Sequence, residues 1–369
     1  MITSVIAFII VLSVLVLVHE AGHFLAARKV GIWVEEFGFG LPPRVFGKKM
    51  GKTIYSINLL PFGGFVKLHG EDSSEKIKPK EAFVTKSKKA RLFVVTAGVL
   101  MNLVLGFLAF SVVYFFAGIP KQTDRVKVVE ILSSSPATQA GIKVGDVIKK
   151  VDDVEVKDPD SFVNHVDSKK GKLVSILVER DQNGQKEEFV VKAVPRENPP
   201  EGEGPLGVII SSTEVFYPPV WQRPFYGIYY GFKEALFWGK NIVSSLVLMF
   251  VNLFHGQVPK DISGPVGIFA ITSQAAKMGI LSLLNFVGIL SINLAILNIF
   301  PFPALDGGRL LFIMLEYILG RKVPEKFEAT IHMIGMAFLI LLLLTITFFD
   351  IKRLIIGGGI SGFLESFSR

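Results

Sequence analysis

The chain has 369 residues, half of them hydrophobic, with 32 phenylalanines and a mean hydropathy of +0.49, too apolar for an ordinary soluble domain. It contains no cysteine, which excludes disulfides and thiolate metal ligands and leaves histidine and carboxylate to hold any zinc. Residues 28–91 carry 14 Lys and Arg against 6 Asp and Glu, an excess equal to the whole net charge of +8. That excess, lying between two hydrophobic runs with no interleaving of basic and aromatic residues, reads as a cytoplasmic loop and not as a nucleic-acid interface.

The first span covers residues 1–28. It has no basic leader and its apolar run is too long for a signal peptide, so it is expected to stay in the membrane with the amino terminus outside and Arg28-Lys29 inside. Residues 2–18 carry no charge, and the run ends in His19-Glu20-Ala21-Gly22-His23. Residues four apart share a helix face, so His19 and His23 point the same way and fit two corners of a zinc site, while Glu20 falls where such patterns place the general base. Three ionisable groups at the end of an apolar span are costly unless they have a task. The reading is a zinc hydrolase.

Residues 29–91 form the expected cytoplasmic loop. Glu36-Phe37-Gly38-Phe39-Gly40-Leu41-Pro42-Pro43 and the alternating stretch from Thr53 to Val66 read as short hairpins, apolar enough to dip into the membrane beside the metal site. The charged stretch 71–89 reads as a surface loop. The second span, 92–118, holds Gly98 for close helix approach and Asn102, which reads as polar glue between helices more than as chemistry.

Residues 124–203 have the composition of a soluble domain. A Ser-Pro helix start at Ser135-Pro136, a Gly stop at Gly141, Gly145-Asp146 at a turn and the alternating Val151 to Val156 resemble a PDZ domain, a module that adds an extended peptide to a sheet edge. Region 218–262 is apolar but interrupted by Lys233, Glu234, Lys240 and Asn241, and is expected to lie along or only partly in the outer leaflet. The next span, 281–308, ends in Asn298-Ile299-Phe300-Pro301-Phe302-Pro303-Ala304-Leu305-Asp306-Gly307-Gly308. Asp306 is the only acid between Asp261 and Glu316, so it is either the third zinc ligand or a cap on the following helix. A fourth span covers 331–349, before a tail at 350–369. His69, His165, His255 and His332 have no partner at metal-ligand spacing and read as structural or surface residues.

The paired motifs at His19 and Asp306, with a PDZ domain between the central spans, resemble the bacterial site-2 intramembrane metalloproteases of the regulator-of-sigma-factor type. The resemblance implies an α-helical polytopic membrane protein of about four transmembrane helices, with a membrane-dipping β region and one inserted extracytoplasmic PDZ domain. It implies one Zn2+ per chain on His19, His23 and Asp306, Glu20 as the catalytic residue, and Asn298 at the oxyanion or the substrate strand. It also implies Asn293 in substrate handling and Gly38-Phe39-Gly40 in a β loop whose edge pairs with the substrate. Val99 and Leu41 depart from the prolines usual in that family. The implied partners are single-span membrane proteins (anti-sigma factors or remnant signal peptides), a peptide or chain end for the PDZ domain, and the lipid bilayer of the bacterial inner membrane. A catalytically silent PDZ scaffold is the rival reading; it has no need of Glu20.

Overall fold

The computed structural model describes residues 2–71, 80–182, 184–200, 202–256, 264–359 and 362–363. Residues 72–79 of the charged loop, 257–262 of the region expected along the outer leaflet, residue 263, and 360–361 and 364–369 of the tail lie outside the described residues. The chain forms two compact units, Met1–Phe116 with Pro219–Arg369, and Ala117–Pro218.

The first unit is helical. Among the described residues five helices are long and apolar enough to cross a membrane: α1 (Ile2–Lys29), α2 (Lys88–Ala117), α5 (Arg223–Phe254), α7 (Ile280–Ile299) and α9 (Glu325–Ile356). Helices suit these sequences because each satisfies its backbone internally, which lipid cannot do. The sequence reading counted four spans; by length and composition α5 qualifies as a fifth.

Small residues set how closely these helices approach. The buried stripe of α1 runs through Val11, Leu15, His19, Gly22 and Ala26, at intervals of three and four. It meets α2 at Gly22 and Gly98, where a Cβ on Gly22 would fall 2.7 Å from the Ala97 carbonyl carbon. Gly106 receives Ile292 of α7, and Gly231 of α5 rests against Ser111 of α2. α2 begins at Lys88, earlier than its charges suggest. Arg91 is buried there in an ion pair with Glu316, and Lys88 Nζ donates to the Glu316 carbonyl oxygen at 2.7 Å, so both charges find partners within the protein. A shorter helix, α6 (Pro265–Met278), packs against α1, with Ser273 donating to Ser4 at 2.8 Å.

Between α1 and α2 lie β1 (Val34–Met50) and β2 (Thr53–Leu68). Each strand bends, and the register shows four segments side by side in the order 64–68, 34–41, 53–60, 44–50. Gly38 pairs with both Phe65 and Ser56, so this segment is hydrogen-bonded on its two sides. The outer edge of 64–68 has no strand partner among the described residues, and β2 packs against α1.

The second unit is a six-stranded antiparallel sheet with two helices. β3 (Ile119–Ile131), α3 (Pro136–Ala140), β4 (Val147–Val151), β5 (Val154–Glu155), α4 (Pro159–Ser168), β6 (Val174–Gln182), β7 (Gln185–Ala193) and β8 (Val208–Phe216) follow in sequence. The spatial order is β7-β6-β4-β3-β8, with β5 on β4. Val174, Ile176 and Val178 alternate into the core with Val126, Val128 and Phe162, each burial contributing about 1.5–3 kcal/mol. Ser135 caps α3, accepting from the Thr138 N–H at 3.2 Å, and Gly141 ends it in the left-handed region at φ 81°. The strands and helices of this unit run from Ile119 to Phe216, wider than the expected 124–203 because β3 starts earlier and β8 lies later.

Candidate metal centre

α1 presents His19 and His23 from one face, edge to face with ring centroids 4.7 Å apart. Asp306 arrives from the other end of the sequence. Pro301 and Pro303 stop α7 from continuing, and the chain folds back before α8 (Asp306–Leu319). Gly307 and Gly308 make that turn possible, since a Cβ on Gly308 would lie 2.6 Å from the Phe302 carbonyl oxygen and one on Gly307 would overlap that of Phe300.

The three ligand atoms form a nearly equilateral triangle. His19 Nε2 is 3.1 Å from His23 Nε2, His19 Nε2 is 3.0 Å from Asp306 Oδ2, and His23 Nε2 is 3.1 Å from the same oxygen. A tetrahedral zinc site with bonds of about 2.0–2.1 Å has edges of about 3.3 Å, so the triangle fits one with little adjustment. Among the described residues this is the group of histidines and acids placed to hold a metal.

The outer nitrogens fix how the rings face. His23 Nδ1 lies 2.9 Å from the Val94 carbonyl oxygen, which only accepts, so Nδ1 carries the proton and donates. His23 Nε2 is then free to present a lone pair toward Asp306. His19 Nδ1 lies 3.3 Å from the Asn102 amide, whose Oδ1 is buried without a partner. Turning that amide over lets Oδ1 accept from His19 Nδ1–H and frees Nε2 in the same way. Two bare nitrogens and a carboxylate facing one another need a cation between them.

The other anticipated residues divide. Glu20 lines a cavity of about 670 Å3 together with His23 and Asp306. Phe65 and Val66 of β2 and Met333 and Met336 of α9 supply part of its wall, and Arg309, ion-paired with Glu71, adds charge to it. Asn298 places its amide 3.4 Å from His19 Nε2. Asn102, read as helix glue, is both buried and in contact with a metal-facing ring. Asn293, partly buried on α7, is not part of this cluster of contacts.

Gly38, Phe39 and Gly40 require a correction. Their segment is paired on both sides, and Asn58 Nδ2 also donates to the Phe39 and Gly40 carbonyl oxygens, each at 3.2 Å. A substrate strand therefore has no free backbone edge at Gly38. The open edge beside the centre is 64–68, where a Cβ on Gly64 would stand 3.9 Å from Glu20 Cγ. Which segment of a twice-bent hairpin becomes the edge depends on its irregular register, and residue types do not reveal that.

Three residues, Gly98, Asn58 and His332, have places at the centre that their local sequence does not declare. Gly98 lies directly over both imidazoles, with a Cβ there 2.7 Å from His23 Cε1 and 2.8 Å from His19 Cε1. Its spacing of four from Asn102 was the available signal. Asn58 clasps the Gly38 segment, and His332 reaches the loop before Asp306; neither has a local motif.

Comparison with known proteins agrees with this geometry. The description "Peptidase family M50" matches residues 7–342. The regulator of sigma-W protease RasP of Bacillus subtilis is 30% identical over 433 aligned positions, covering 96% of this chain and 99% of the relative. The zinc metalloprotease RasP of Geobacillus kaustophilus is also 30% identical, covering 95% and 98%. The PDZ domain of an SdrC-like protein of Listeria monocytogenes matches 25% of this chain and 93% of its own, at 22% identity and a TM-score of 0.20. By the match across most of its length, and with the metal triangle in place, the chain belongs to peptidase family M50, as a multi-pass membrane zinc metalloprotease.

Proposed function

We propose that the chain hydrolyses a peptide bond within the transmembrane segment of single-span membrane proteins, with His19, His23 and Asp306 holding one zinc ion and Glu20 as general base. The observation that carries this is the triangle of ligand atoms at 3.0–3.1 Å with Glu20 on the wall of the adjoining cavity. Zinc bound there supplies a Lewis acid for the scissile carbonyl and lowers the pKa of water.

Glu20 takes the proton from the attacking water and returns it to the leaving amine. Asn298, with its amide beside the ligand atoms, donates a hydrogen bond to the oxygen that gains charge. The free edge of 64–68 receives the unwound substrate as an added strand, bringing its backbone alongside Glu20. Unwinding is required because a helical peptide bond is shielded on all sides by its own turn.

In the inserted unit β8 is an edge strand with α4 against it, a groove suited to an extended chain or chain end. The PDZ domain acts as a filter that turns away substrates still carrying bulky extracytoplasmic domains. The substrates are membrane-bound anti-sigma factors already shortened by another protease, or remnant signal peptides. The chain sits in the bacterial inner membrane, with residues 29–91 in the cytoplasm and the PDZ domain and amino terminus outside.

The test is co-expression of a tagged single-span substrate with the wild-type chain, Glu20→Gln and Asp306→Asn. Both variants are expected to accumulate normally and to yield no cut product, and purified Glu20→Gln to keep its zinc. Cleavage by Glu20→Gln at the wild-type rate would refute the general-base role.

A further inference from the structure

The loop that delivers Asp306 does not hold its shape alone. Ala304, two residues before the carboxylate, has φ 77°, in the left-handed region where a side chain costs about 1–2 kcal/mol. The N–H of Ala304 has left the helical ladder and needs an acceptor in an apolar setting.

Helix α9 supplies it. His332 Nδ1 accepts the Ala304 N–H at 2.9 Å. One turn on, Gly335 lets the loop backbone touch the helix, since a Cβ there would lie 2.5 Å from Pro303 Cβ and 2.7 Å from the Pro303 carbonyl oxygen. Another turn on, the Phe338 ring stands 5.8 Å from that of Phe302. Residues 332, 335 and 338 share a face, so a single stripe of α9 splints three consecutive residues, Phe302, Pro303 and Ala304.

The hydrogen bond also fixes the tautomer. For Nδ1 to accept, the proton sits on Nε2, which is buried and 3.9 Å from Glu328. The Phe312 ring, 5.6 Å away, packs against the imidazole from α8. Asp306 opens α8 with no side-chain cap at Leu305, and Gly307 and Gly308 are pressed onto the carbonyls of Phe300 and Phe302. The position of the carboxylate therefore follows from the backbone of residues 302–308.

We propose that His332 is a positioning residue of the metal centre, holding Ala304 in its left-handed conformation so that Asp306 completes the ligand triangle. The last long helix is thereby part of the zinc site although it contributes no ligand. This rests on the zinc reading above.

The experiment is zinc retention by the purified full-length chain in detergent, titrated with a chelator. The set comprises the wild type, Asp306→Ala, His332→Ala, His332→Asn, Ile334→Ala and the double variant His332→Ala/Ala304→Gly. His332→Ala is expected to release zinc at a chelator concentration about 10–100-fold lower than the wild type, as for other outer-shell partners. Asparagine places an acceptor oxygen near the position of Nδ1 and is expected to restore most of the retention. Glycine at 304 removes the conformational penalty and is expected to recover part of it without His332. Ile334, on the exposed side of α9, is expected to behave as wild type. Zinc held equally well by wild type and His332→Ala overturns the proposal, as does a double variant no better than His332→Ala. A wild-type chain that binds no more zinc than Asp306→Ala overturns the metal reading itself and with it this one.

Discussion

Replacing Gly98 by alanine sets a methyl group against both zinc-facing rings at once. The new carbon would lie 2.7 Å from His23 Cε1 and 2.8 Å from His19 Cε1, and closer still to His23 Nε2. Carbon atoms pack best near 3.5–4.0 Å, so the intrusion is at least about 0.7 Å on each ring. The rings cannot easily turn aside, because His23 is tied to the Val94 carbonyl and His19 to Asn102. Backing α2 away from α1 instead opens the contact at Gly22 and strains its neighbours. Overpacking of this kind costs about 1–3 kcal/mol of stability, which a folded membrane unit can survive. Displacing a catalytic group by about 1 Å can lower rate about 10²-fold. Gly98→Ala is therefore expected to accumulate, to bind zinc more weakly, and to cleave about 10²-fold more slowly. The assay pairs metal content of the purified chain with the rate on a tagged single-span substrate in detergent micelles. Gly239→Ala is the control, since its Cβ would meet only Ile292 Cγ2 at an ordinary 3.9 Å. Zinc content and rate both at the wild-type level in Gly98→Ala would refute the close-approach argument.

Two further outcomes follow from contacts already described. Asn102→Leu keeps the bulk but removes the partner of His19 Nδ1, so a chelator is expected to strip zinc at a concentration about 10–100-fold lower, read by the same titration. In the inserted unit Arg180 grips Asp146 with two hydrogen bonds of 2.7 Å, while Asp146 also accepts from the Lys143 N–H at 2.8 Å. The Asp146 side chain is fully buried, and hydrogen bonding to it raises the already high pKa of Arg180, so the guanidinium stays charged. Arg180→Ala strands the carboxylate, and a loss of about 3–5 kcal/mol is expected. Limited proteolysis of the full chain should then cut within 117–218 before the membrane helices; an unchanged digestion pattern would argue against the pair's weight.

The centre was legible in the sequence where chemistry follows from spacing. His19, Glu20 and His23 declare themselves by helical period, and Asp306 by being a lone acid in an apolar stretch flanked by prolines and glycines. What stayed hidden depends on tertiary registration. Asn102 could be seen as a polar group in a span, but its partner lies 83 residues away on another helix. His332 has no neighbour at metal-ligand spacing, and spacing reveals ligands but not a residue that holds a ligand's backbone from another helix. The β region was recognised from alternation and Gly-Pro breaks, yet the edge strand was misplaced because the order of segments is not their order in the chain. α2 begins before its last charges because Glu316, more than two hundred residues on, neutralises Arg91.

The inserted unit begins and ends on adjacent strands: β3 opens with Ile119 and β8 closes with Phe216, and these two residues are register partners. Paired antiparallel residues stand about 5 Å apart, the distance a tight hairpin turn spans. The roughly hundred residues between them thus form a cassette whose entry and exit coincide. Shuffling such a cassette, by deletion to a short turn or exchange for another domain with neighbouring termini, places no stretch on the helices that flank it. The inserted unit and the metal centre are therefore free to diverge at separate rates along one polypeptide.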